Sequence, residues 1–189
     1  MRTIVSTACL LALATLFVPA AQGGMTGSVT ITELFPNSST VFNGGTDALA
    51  VGSSLSCPGA SALCTSGYFA QPATFSITAN TIGLSEQCCT SYTADPFNGY
   101  SFTNVNFADG GFIGGVSLAS SNMAGILASD ITFTGHSILI NLQGVGVGAA
   151  ANQSPGTFTL TVAEAPEPGS LAMLGASLVG LAFMLRRRA

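Results

Sequence analysis

Cys57, Cys64, Cys88 and Cys89 are the residues whose type and spacing most directly suggest chemistry, since Cys9 lies in an apolar run near the amino terminus. In an exported chain these four are expected to form two disulfides. Adjacent Cα atoms sit about 3.8 Å apart across a trans peptide, below the roughly 4.4 Å at which disulfide geometry begins, so a Cys88–Cys89 bond is disfavoured. The sequence therefore predicts that the loop of Cys57 and Cys64 is stitched to Cys88 and Cys89, with the order left open. Zinc is not expected, because neither the six-residue gap nor the adjacent pair has ligand spacing and the sole histidine, His136, is distant. A Cys-x-x-Cys redox motif is also lacking.

Other motifs imitate sites without completing them. Gly135-His136-Ser137 begins like a nucleophile elbow, but Leu139 stands where that pattern needs glycine. Any Ser-His-Asp or Cys-His scheme must use His136, which reads as part of an exposed hairpin turn. Gly144-Val145-Gly146-Val147-Gly148 is followed by no lysine, so it reads as a flexible loop rather than a phosphate cradle. Asn104, Asn106 and Asp109 before Gly110-Gly111 offer oxygen atoms suited to Ca²⁺, yet the spacing fits an Asx-rich turn better. Asp95, Asp109 and Asp130 supply carboxylates for glycoside hydrolysis, but no tryptophan is present for sugar stacking. No catalytic residue, metal or cofactor is expected.

Charge is sorted by position. The basic residues are Arg2, Arg186, Arg187 and Arg188, and all eight acidic residues lie between the first and the rest, giving that interval a formal charge of minus eight. Nucleic-acid binding draws its affinity from Lys and Arg on phosphate, so the body of the chain is excluded from it. Only 6% of residues are charged, and mean hydropathy is +0.56. Solubility must therefore rest on Ser, Thr, Asn and Gln.

The two ends read as addresses. Arg2, the apolar stretch Ile4 to Val18, and Pro19-Ala20-Ala21 follow the basic, hydrophobic, small-residue order of a secretory signal peptide. At the other end Pro166-Glu167-Pro168 precedes Leu171 to Leu185, 15 residues without a charge, and then Arg186-Arg187-Arg188. Leu171, Leu174, Leu178, Leu181 and Leu185 supply much of that apolar run. As a helix it covers about 22 Å, short of a hydrocarbon core of about 30 Å, so it reads as a weak transmembrane anchor. The arginines stop on the cytoplasmic side.

This tripartite ending resembles the PEP-CTERM sorting signal of Gram-negative bacteria. The resemblance implies export through the Sec machinery and transient anchoring in the inner membrane. It further implies that exosortase, a multi-spanning membrane enzyme, recognises Pro166-Glu167-Pro168, removes the tail and passes the protein to the cell surface or extracellular matrix.

Between the signals, apolar residues recur with period two. Phe158, Leu160 and Val162 alternate with threonines, and Ile131 and Phe133 face Ile138, Ile140 and Leu142 across a Gly-His turn. Val29 with Ile31, Phe75 with Ile77, and Tyr100 to Phe107 make shorter strands. Turn signals fall at Asn43-Gly44-Gly45, Asn98-Gly99, Asp109-Gly110-Gly111 and Gly114-Gly115, and Leu118 to Leu127 is the one stretch suited to a short helix. The expected architecture is all-β, an antiparallel β-sandwich of jelly-roll or Ig-like type with a C-terminal transmembrane helix. The expected segments are a signal peptide over residues 1–22, a β-sandwich ectodomain over 23–163 and a sorting signal over 164–189. The expected function is that of a non-catalytic surface or matrix protein associated with exopolysaccharide through amide and hydroxyl groups. The alternative is an extracellular carbohydrate-binding module or a glycoside hydrolase.

Overall fold

A computed structural model describes residues 23–66, 72–87, 91–147, 155–165, 175–178, 180 and 185–186. Contacts divide the chain into one unit of Gly23–Ala165 and another formed by the two ends. Within the first, alternation of apolar and hydroxyl side chains produces twelve strands among the described residues. They are β1 (Met25–Thr26), β2 (Ser28–Leu34), β3 (Val41–Ala50), β4 (Ser54–Cys57), β5 (Ala73–Ile77) and β6 (Thr81–Glu86). The remainder are β7 (Gly99–Thr103), β8 (Asn106–Phe107), β9 (Ile113–Ser121), β10 (Ile131–Phe133), β11 (Ile138–Asn141) and β12 (Gly156–Glu164). One four-residue helix, α1 (Ala62–Thr65), follows β4.

Two five-stranded sheets run in the orders β10-β11-β7-β2-β3 and β4-β5-β6-β12-β9, with β1 and β8 paired separately, and every pairing is antiparallel. Register stacks like parity in rows. Ile31, Phe102 and Ile138 lie abreast in the first sheet. Phe75, Leu84 and Phe158 do so in the second. All six are buried in one apolar cluster fed by both sheets. The Phe75 and Tyr100 rings meet edge to face across it, with centroids 5.3 Å apart.

The hairpin of β10 and β11 and the strand β12 follow the sequence pattern directly. Several expected turns and the short helix do not. Asn43-Gly44 takes positive φ inside β3, where the pairing skips from Val41–Leu34 to Thr46–Thr32. This is a bulge, and the Asn43 amide uses it to donate to the Ser66 carbonyl at 2.7 Å. Gly114-Gly115 lies within β9, and Asn98-Gly99 leads into β7. The Leu118–Leu127 stretch is strand as far as Ser121 and then irregular, because pairing with β12 captures its first residues.

The expected stitching of the Cys57 and Cys64 loop to Cys88 and Cys89 is corrected by a Cys57–Cys64 disulfide. Ser61 caps α1 by accepting from the Cys64 N–H at 3.1 Å, and the turn returns Cys64 over β4, with a Cα–Cα distance of 5.2 Å from Cys57. Short-range chain geometry thus satisfies the bond that the long-range pairing was meant to supply. Cys88 and Cys89 lie outside the described residues.

Leu160 is fully buried between Ile82 and Leu118, its cross-strand neighbours. Leu160→Ala is expected to lower unfolding free energy by about 3 kcal/mol in urea denaturation. Thr159→Ala, on the opposite face of β12, should change it by no more than roughly 0.5–1 kcal/mol.

Candidate functional site

Three inward-facing series end in a carboxylate: Val29-Ile31-Glu33 on β2, Ile82-Leu84-Glu86 on β6, and Phe158-Leu160-Val162-Glu164 on β12. Strand parity carries these glutamates into the interior, where they are 3%, 6% and 5% exposed. Glu86 lies opposite Gly156 at the start of β12, whereas Glu164 ends that strand, about 27 Å away along it. The described unit therefore holds two separate acidic centres.

At the first, Ser66 Oγ lies 2.5 Å from Glu33 Oε2 and 2.8 Å from the Leu63 carbonyl. Ser66 donates to the Glu33 carboxyl, and the Leu63 carbonyl is a second acceptor within reach of its one proton. Burial pushes the Glu33 pKa up to about 7, against the opposing pull of the Ser66 hydrogen bond. Glu86 is likewise raised to about 7, by burial first and then by repulsion from Glu33, with the Tyr92 hydrogen bond opposing. Tyr92 donates to Glu86 Oε2 at 3.1 Å and shares a second 3.1 Å hydrogen bond with the Tyr100 hydroxyl. Tyr100 is also the cross-strand partner of Glu33. The cluster joins the end of α1, β2, β6 and β7 through two carboxyls, a hydroxyl and two phenols, and motif spacing gave no sign of it. Its signal was the inward parity of Glu33 and Glu86.

At the second centre, Asp109 follows β8 in a turn where Gly110 has φ of 81° and Asp109 Oδ1 accepts from the Gly111 N–H at 3.1 Å. This is the Asx turn read from sequence. A hydrogen bond from Glu164 is the main cause holding the Asp109 carboxyl below the usual carboxylate range. The acidic partner given to Asp109 is therefore Glu164, a residue outside both the calcium and the glycosidase schemes.

Four other candidates are engaged by neighbouring groups. Asn104 donates to Thr30 Oγ1 at 3.0 Å, and Asn106 donates to the Asn104 carbonyl at 2.9 Å. Asp130 Oδ2 accepts from the Leu127 N–H at 2.7 Å. His136 is exposed in the turn before β11, with Nδ1 2.9 Å from the Val105 carbonyl and its ring tilted against Phe112. Among the described residues no three His, Cys, Asp or Glu side chains gather as a metal site. Pro166, Glu167, Pro168, Leu171, Leu174, Leu181, Arg187 and Arg188 lie outside the described residues. Residues 175–178, 180 and 185–186 are helical, with Leu178 and Leu185 exposed. No helix among the described residues is long and apolar enough to cross a membrane.

The Glu33–Glu86 cluster has a measurable consequence. A carboxyl whose folded pKa is raised stabilises the fold fully below its unfolded value and loses that contribution as pH rises through the folded value. The window runs from 4.5 to about 7 for both groups. Thermal melts should show stability falling across it, by at most about 3 kcal/mol per carboxyl, and levelling above it. Glu33→Gln and Glu86→Gln should each flatten the decline.

No curated protein and no solved structure matches the chain. A family model described as the PEP-CTERM protein-sorting motif matches residues 164–188. That span begins on the buried Glu164 and takes in Pro166-Glu167-Pro168, the apolar run and the three arginines. The chain thus carries a PEP-CTERM protein-sorting motif, which begins on the last strand of an antiparallel β domain.

Proposed function

We propose that the β domain is the mature cargo of a sorting pathway, a non-catalytic protein of the cell surface or extracellular matrix. The motif at residues 164–188 carries this reading. In it the Leu171 to Leu185 run forms a brief membrane helix, the arginines hold it on the cytoplasmic side, and exosortase releases the body near Pro166-Glu167-Pro168. The two five-stranded sheets and their common core support reading the domain as a β-sandwich. The Cys57–Cys64 disulfide suits an oxidising compartment. Outward threonines and serines on β5, β6, β9 and β12 offer hydroxyls to exopolysaccharide without any cation.

Replacing Pro166-Glu167-Pro168 by three alanines should make the full-length protein accumulate in the inner-membrane fraction of the producing cell. Mass spectrometry of the unaltered protein from the cell surface should find its carboxyl terminus near Pro168. Surface protein that keeps its arginine tail would overturn the reading.

A further inference from the structure

The folded unit and the sorting motif overlap by two residues. The motif begins at Glu164, which closes β12, and the compact unit extends to Ala165. Both residues are held. Glu164 pairs with Ile113 of β9 and is buried, and its side chain is hydrogen-bonded to Asp109. The Ala165 N–H donates to the Phe112 carbonyl at 2.8 Å.

Close approach makes this seat specific. A Cβ on Gly111 would run into the Glu164 carboxyl, and one on Gly114 would come within 2.6 Å of the Ala165 backbone. Only glycine at these places lets the strand end lie so deep. The segment is nevertheless the end of a strand, held by one carboxyl contact and one terminal backbone bond, and such ends open at a small fraction of the global unfolding free energy.

We propose that this overlap is a latch: the seat formed by Asp109, Gly111, Phe112 and Gly114 holds Glu164 and Ala165 in the fold, and its opening sets the rate at which the tail is processed. The inference rests on reading the tail as a processed sorting signal. An enzyme acting at Pro166-Glu167-Pro168 must grip extended chain on both sides of the bond it attacks. While the latch is closed, the residues before Pro166 are committed to β9 and to the loop leading into it.

The test is a pulse-chase measurement of precursor half-life in the producing cell. Asp109→Ala removes the carboxyl partner, and Gly111→Ala pushes the Glu164 side chain out of its seat. Each should shorten the half-life about fivefold, the effect of losing one hydrogen bond. A third variant inserts Gly-Gly-Ser between Ala165 and Pro166 and leaves every latch residue in place. Unchanged half-lives for Asp109→Ala and Gly111→Ala overturn the latch, as does acceleration by the insertion alone, which points to simple crowding by the domain. If Gly111→Ala loses the protease resistance of the folded precursor, Asp109→Ala decides. The triple-alanine replacement of Pro166-Glu167-Pro168 is the control. Its continued processing would overturn the sorting reading itself, whereas its arrest together with unchanged latch variants overturns the latch alone.

Discussion

The edge-to-face contact of Phe75 with Tyr100 marks the constraint on which the domain depends: two sheets must bury their like-parity rows in a single core. With only 6% of residues charged, the surface has few groups whose hydration could discriminate inside from outside. Discrimination falls to the alternation of apolar and hydroxyl side chains, which a one-residue slip would invert along a whole strand. Register is therefore the fold's main specification. The unbroken run of pairs between β6 and β12 sets it in the second sheet.

Against that background, placing three of eight acidic side chains inside is costly unless each carries a proton or a partner. The fold does so in two ways. Glu33 and Glu86 each accept a hydrogen bond from a hydroxyl, while burial raises both pKa values to about 7 and so eases uptake of a proton. Glu164 instead shares a hydrogen bond with an exposed carboxylate. The two centres lie at opposite ends of β12, which ties the polar interior at its start to the sorting motif at its finish.

What the sequence made legible was whatever depends on local alternation. β12, the hairpin of β10 and β11, and the Asp109 turn all follow from neighbours in the chain. The short helix expected near Leu118 failed because strand pairing outcompetes weak helical propensity when a partner edge is at hand. The disulfide pairing failed for a different reason. Excluding Cys88–Cys89 on geometry says nothing of whether a capped turn can bring Cys64 back to Cys57. Of the candidate site, the tail was legible because its parts are contiguous. The inward glutamates were visible in the parity of β2, β6 and β12, but their partners Ser66, Tyr92 and Asp109 come from elsewhere in the chain.

The bulge in β3 has a further consequence for the exposed edge of its sheet. β3 is an outermost strand of its sheet, and its solvent side would otherwise present a straight ladder of unpaired amides and carbonyls. Asn43 and Gly44 turn that ladder out of line with left-handed backbone, and the Asn43 amide is committed to Ser66. With no lysine anywhere to repel a neighbour, the kink in the backbone does the work of a charge: it denies an approaching molecule a template on which to grow a fibril.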